Sequence, residues 1–146
     1  MHKTETVLLS IKPEFAEKIL DGTKTYEFRR TLFKDKNVKT VLIYASSPVQ
    51  RVIGEFEVEA VLSLPKHDLW RKTHTGGAIS RNYFDEYFNG SKICHAICIR
   101  NPKRYKHPMI LEDATGLNVP PQSFAYVEKN DSREAMLIHD MWLNSA

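Results

Sequence analysis

Short apolar blocks run along this chain and switch repeatedly between the two-residue period of a strand and the longer period of a helix. Residues 7–11 form one apolar block and predict a first strand buried on both faces. Residues 13–20 then pair Phe15 with Ile19 and Ala16 with Leu20 at i,i+4 spacing, which predicts a helix with one apolar stripe. Pro13 suits its first position, where the missing N–H has no partner to lose, and Gly22 stands where the helix should stop. In the second strand, KTYEFR, Tyr26 and Phe28 share one face while Thr25, Glu27 and Arg29 share the other. Lys24 and Glu27 therefore fall on opposite faces of a regular strand. They meet only if Lys24 still belongs to the turn, or if a bulge intervenes.

Beyond a polar loop over residues 31–40, residues 41–45 predict a buried strand that ends in a turn carrying Ser46 and Ser47. Residues 52–64 predict a long alternating strand with Phe56, Val58, Ala60 and Leu62 facing in, and Glu55, Glu57 and Glu59 facing out. Such a carboxylate row reads as a solvated strand face rather than as catalytic machinery. Helices follow at 66–73 and, capped by Ser80 and ended by Gly90, at 81–89, with Gly76 and Gly77 breaking the chain between them. The aromatic face Tyr83, Phe84, Tyr87 and Phe88 reads as core cover rather than a base-stacking platform. Residues 93–99 predict a central strand with His95 as a core histidine, residues 101–108 a basic strand or loop, and residues 122–127 a last strand approached through Pro120 and Pro121. Asp131 or Ser132 caps a final helix with Leu137, Ile138, Met141 and Trp142 on one stripe. The pattern predicts an α+β fold with a small, mostly antiparallel sheet, one domain over 1–129 and a helical extension over 130–146 that can cover the fold or meet a protein partner.

At 146 residues, 42% hydrophobic and 27% charged, the chain is long enough for one core without disulfide help. Its apolar runs are too short to span a membrane, and the N-terminal one is too short for a signal peptide. Cys94 and Cys98 lie four residues apart on one strand, too constrained to pair there, and read as core packing in a reducing, cytoplasmic setting. No spacing of Cys and His argues for a metal, and no glycine-rich phosphate loop or serine elbow argues for a nucleotide cofactor or a serine hydrolase. The net charge of +3 is uneven: residues 91–110 hold five basic side chains, among them Lys103 and Arg104, and no acid. Either this segment joins the basic motif near Lys24 in one phosphate-binding patch, or its charges are scattered and solvated.

The pattern Gly22-x-Lys24-x-x-Glu27-x-Arg29 after a short helix, followed by VLIYASSP, VIGEFEVEAVLSLP, GGAIS…YFDEYFNG and PPQSFAYV, resembles the ASCH family over most of residues 6–128. That family is a branch of the PUA-like β-barrels, so the resemblance implies a PUA-like, mixed or antiparallel barrel with peripheral helices. It also implies binding of RNA, single-stranded nucleic acid or a modified nucleoside in a cleft beside the motif, with a possible regulatory role in RNA metabolism or transcription. The cations there are Lys12, Lys24, Arg29 and Arg30, with Lys103 and Arg104 if the basic segment is adjacent. Ser46, Ser47, Gln122 and Ser123 can read polar base edges, Tyr44 or Phe124 can stack, and Glu27 can hold a cation or accept from an exocyclic amine. Some ASCH proteins are hydrolases, either ribonucleases or N4-acetylcytidine amidohydrolases that use a lysine, a threonine and a glutamate. Lys24 matches that lysine and makes Lys24 and Glu27 the catalytic candidates. The threonine position is Glu27, however, and residues 74–78 offer no carboxylate.

Overall fold

A computed structural model describes residues 5–128. The element order is β1 (Thr6–Ile11), α1 (Pro13–Leu20), β2 (Tyr26–Arg29), β3 (Thr40–Ala45), β4 (Arg51–Leu64), α2 (Lys66–Thr73), α3 (Arg81–Tyr87), β5 (Cys94–Met109), α4 (Leu111–Thr115) and β6 (Phe124–Val127). The six strands form one sheet in the order β2-β5-β4-β3-β1-β6, with β1 and β3 parallel and every other pair antiparallel. The fold is α+β with helices at its periphery. The expected barrel remains open, because no ladder joins the edge strands β2 and β6 among the described residues. The predicted C-terminal helix lies outside those residues.

Alternation along the inner strands divides the core between the two faces of the sheet. Val7, Leu9 and Ile11 of β1 and Val41, Ile43 and Ala45 of β3 pack with Ala16 and Ile19 of α1. Leu8, Leu42 and Tyr44 point the other way, toward Tyr105, Met109 and α4. A third cluster gathers Phe28 of β2, Leu69 of α2, Phe84 of α3 and Phe88 just after it over Cys94 and Ala96. Among the described helices, none is long and apolar enough to cross a membrane.

Two bulges depart from the sequence pattern. Arg100 pairs with Glu57 and Lys103 with Glu55, so Asn101 and Pro102 together oppose Phe56 alone. With Asn101 at φ 51°, the bulge absorbs a proline that has no N–H for the ladder, and β5 continues to Met109 instead of ending near residue 99. On β4, the step from Val58↔Ile99 to Ala60↔Cys98 leaves Glu59 without a partner residue. That extra residue resets the alternation, so Ala60, expected inside, is exposed. The short helix α4 has no side-chain cap and no periodic stretch to betray it, and the sequence pattern missed it.

Candidate nucleotide-binding cavity

A cavity of about 230 Å³ opens between the end of β1, the start of α1, β2 and α3. Gly22, at φ 87°, makes the turn after α1 that no side chain adopts cheaply, and Lys24 follows before β2 begins at Tyr26. Lys24 thus belongs to the turn. Released from strand parity, it lines the same cavity as Glu27.

Lys24 is 2% exposed. Its Nζ donates to the Gly77 carbonyl at 2.5 Å and lies 5.2 Å and 4.8 Å from the ring centroids of Phe15 and Phe28. Burial pushes its pKa down from 10.5 to about 8, against the pull of the Glu27 charge, with Lys18 adding a little more in the same direction. The Gly77 carbonyl comes so close because the loop after α2 sits directly on the motif. A Cβ on Gly77 would lie 2.8 Å from the Phe28 ring, and the Gly76 carbonyl accepts the Thr25 N–H at 2.8 Å.

Glu27, 5% exposed, pairs with Arg29 rather than with Lys24, its Oε2 lying 3.1 Å from Nη1. Arg29 also donates through Nη1 to the Ser10 carbonyl at 3.3 Å and through Nη2 to the Ser123 carbonyl at 2.7 Å. One guanidinium therefore ties the edge strand β2 to β1, and to the segment that enters β6 at the far side of the sheet. The sheet curls enough for those edges to meet, and Arg29 closes the gap that backbone pairing leaves open. Beside it, Ser10 Oγ donates to the Pro121 carbonyl at 2.8 Å, fixing the segment that sets Gln122 in the cavity wall.

The remaining wall comes from α3. Ser80 caps the helix by accepting the Tyr83 N–H at 3.1 Å. Its aromatic face then splits: Phe84 and Phe88 are buried in the core, while Tyr83 and Tyr87 line the cavity. Lys12 donates to Tyr83 Oη at 3.2 Å. Tyr87 donates to the Phe28 carbonyl and accepts the Arg30 N–H, both at 3.2 Å, and burial raises its phenol pKa. The sequence assigned all four rings to the core. The signal it held was the hydroxyl: the buried pair are phenylalanines, and the pair one position before each are tyrosines.

Of the residues singled out from sequence, the cavity gathers Lys12, Lys24, Glu27, Arg29 and Gln122. Arg30 is exposed at the end of β2, and Ser123 contributes its carbonyl to Arg29. Tyr44 does not face the cavity, because strand alternation buries it in the cluster on the opposite face of the sheet. Phe124 packs edge-on against Phe33 and Tyr126. Ser46 and Ser47 lie in the turn after β3, outside the cavity lining. Arg104 is spent on Glu17 of α1 and Arg100 on Glu57, while Lys103 lies beside Glu55 on the far half of β5, so the basic segment does not extend the cavity. His95 is satisfied by Ser63 Oγ at 2.7 Å, and burial lowers its pKa. Among the described residues, no three His, Cys, Asp or Glu side chains gather to hold a metal ion.

An open mixed sheet with this lysine-lined cavity beneath two helices defines the class, and comparison with known proteins gives the family. The chain belongs to the ASCH domain family, whose model matches residues 9–108. The crystal structure of ASCH from Zymomonas mobilis superimposes with a TM-score of 0.81 at 27% identity, covering 93% of this chain and 95% of that one. An ASCH domain-containing ribonuclease of Zymomonas mobilis is 29% identical over 87% of each chain. The chain is also 31% identical to the large ribosomal subunit protein uL22 of Ureaplasma parvum over 86% of its own length, but spans only 40% of that relative.

Proposed function

We propose that the protein binds single-stranded RNA by seating one unpaired base, with its sugar, in the Lys24 cavity. The observation that carries this reading is the cavity itself. At about 230 Å³ it is smaller than the ~300–1,000 Å³ pockets that enclose drug-sized ligands, yet it has the mixed lining a nucleobase needs. Tyr83, Phe15 and Phe28 supply aromatic surface, Lys24 supplies a donor, and the Gln122 amide and Glu27 carboxylate can meet base-edge groups. A duplex would have to open before a base could enter, so unpaired strands are preferred. Fluorescence anisotropy with a labelled single-stranded RNA, its duplex form and the Lys24→Met variant tests this. Binding by the single strand that the variant loses supports the reading; equal binding by the duplex, or by the variant, overturns it.

The depressed Lys24 pKa favours a second reading, hydrolysis in the same cavity. With a pKa of about 8, roughly one lysine in ten is neutral at pH 7 and able to take a proton from an attacking group. The ribonuclease name of the Zymomonas mobilis relative points the same way. N4-acetylcytidine is a second substrate to test: water would add to the acetyl carbon, Lys24 would take its proton, and the C–N bond would break with proton return to N4. Incubation with RNA and with N4-acetylcytidine, followed by chromatography, distinguishes the outcomes. A product that vanishes in Lys24→Met makes the protein a hydrolase, and binding without product makes it a reader.

A further inference from the structure

We infer that the cavity mouth carries two phosphate anchors, Lys12 and Arg30, so that the preferred ligand is a nucleotide within a strand rather than a free nucleoside. This rests on the reading of the cavity as a base site. A cavity that takes one base leaves that nucleotide's flanking phosphodiesters outside, at the rim. Tyr83 and Tyr87 stand one helical turn apart along the α3 wall, about 6 Å. A cation is fixed near each: Lys12 donates to the Tyr83 hydroxyl at 3.2 Å, and the Arg30 backbone N–H donates to the Tyr87 hydroxyl at the same distance.

Among the described residues, both cations keep their charge uncompensated. Lys12 is exposed and its Nζ is held by a neutral phenol, while the Arg30 guanidinium reaches the Asn89 carbonyl, at 3.4 Å. Their neighbours differ. Arg29 is paired with Glu27, Arg81 with Asp85, and Arg104 with Glu17. A cation held beside a binding cavity with no carboxylate within ion-pair distance is free to meet an anion supplied by the ligand. An arginine can meet a phosphate through two parallel N–H groups, and a lysine meets it as a point charge. Inside the cavity Glu27 and Arg29 neutralise each other, which leaves the buried Lys24 ammonium, held by the Gly77 carbonyl, as the interior charge.

Isothermal calorimetry on the full chain tests this, using each of the four ribonucleosides, its 5′- and 3′-monophosphates and its 3′,5′-bisphosphate. The bisphosphate is expected to bind more tightly than the nucleoside by about tenfold for each phosphate. Lys12→Ala should erase the increment from one phosphate and Arg30→Ala that from the other; both side chains are exposed, and unchanged unfolding midpoints exclude a folding defect. Equal affinity across the series, or increments that survive both substitutions, overturns the two anchors and leaves the base site standing. Failure of every nucleoside, nucleotide and RNA to bind overturns both readings. Deoxyribonucleotides run alongside: the same phosphate increments on weaker overall binding support the anchors with RNA as the strand, and equal binding supports them with either nucleic acid.

Discussion

Lys24 and Gly77, 53 residues apart in the chain, are joined by a 2.5 Å hydrogen bond from the buried ammonium to the backbone carbonyl. The contact sets the chemistry of the cavity. An ammonium with one carbonyl acceptor, two aromatic faces and a nearby carboxylate already engaged by arginine is stabilised less than it would be in water. It is therefore unusually ready to donate to a ligand or to release its proton.

This makes pH a direct probe of Lys24. Below pH 8 the side chain is protonated in both the folded and the unfolded chain, and the folded chain bears the full cost of burying the charge. Between about 8 and 10.5 the folded chain releases a proton that the unfolded chain keeps, so the Lys24 contribution to stability rises with pH across that window. The gain is on the order of 3 kcal/mol at its limit. Chemical denaturation at a series of pH values should show this rise in the wild type and not in Lys24→Met. Ligand affinity that depends on the Lys24 N–H should fall above pH 8, whereas turnover that uses neutral Lys24 as a base should rise there.

Arg29 should be more important to stability than to phosphate binding. Arg29→Met would strand the Glu27 carboxylate at 5% exposure and free the carbonyls of Ser10 and Ser123. Loss of one partner of a buried pair costs about 3–5 kcal/mol, so the unfolding midpoint should drop sharply. Adding Glu27→Gln should restore part of it by removing the uncompensated charge. Arg29→Lys should fall between, because a single ammonium does not span acceptors set around a planar fork. A midpoint unchanged in Arg29→Met would show that the two edges of the sheet hold together without it.

The parts of this molecule that were legible in the sequence are those governed by local rules. Pro13, the i,i+4 pairs and Gly22 located α1, Ser80 and Gly90 bounded the helical stretch around α3, and alternation placed the core of β1 and β3. Non-local geometry was not legible. Nothing near Arg29 announces that Ser123 will lie 2.7 Å away, since that depends on how far the whole sheet curls. Tyr44 was a candidate for stacking because it is aromatic and near a strand end, but parity relative to α1 settles its side of the sheet. The basic run from Lys92 to Lys106 left one patch and scattered charge equally open, because charge counted along the chain does not say what each side chain meets; in the fold Arg100 and Arg104 meet acids from other elements.

Gly77→Ala should injure the site through packing. Its Cβ would stand 2.8 Å from Phe28 ring carbons, and that ring is wedged edge-on against Phe84 and Phe88 and has little room to yield. Overpacking of this kind costs about 1–3 kcal/mol, and relief by loop displacement would withdraw the carbonyl from Lys24. Both the unfolding midpoint and nucleoside affinity should fall. Gly22→Ala is the contrasting case: the backbone at φ 87° is strained for alanine, yet nothing lies within 4 Å of the new Cβ. It should lose about 1 kcal/mol of stability through backbone strain. Equal affinity losses in the two variants would mean that the Gly77 contact does not shape the cavity.

Salt dependence separates a two-anchor mouth from a long basic track. Each phosphate neutralised on a single strand contributes about −0.7 to the slope of log K against log salt, so anchors at Lys12 and Arg30 alone predict a slope near −1.4. The Arg104–Glu17 pair is half-exposed and should contribute under about 1 kcal/mol to stability. Lys103→Ala and Arg104→Ala should therefore leave both the slope and the unfolding midpoint almost unchanged, while Lys12→Ala and Arg30→Ala should each flatten the slope by about 0.7. A wild-type slope of about −3 or steeper that collapses in Lys103→Ala would place the strand along β5 instead. The cavity would then hold only its end.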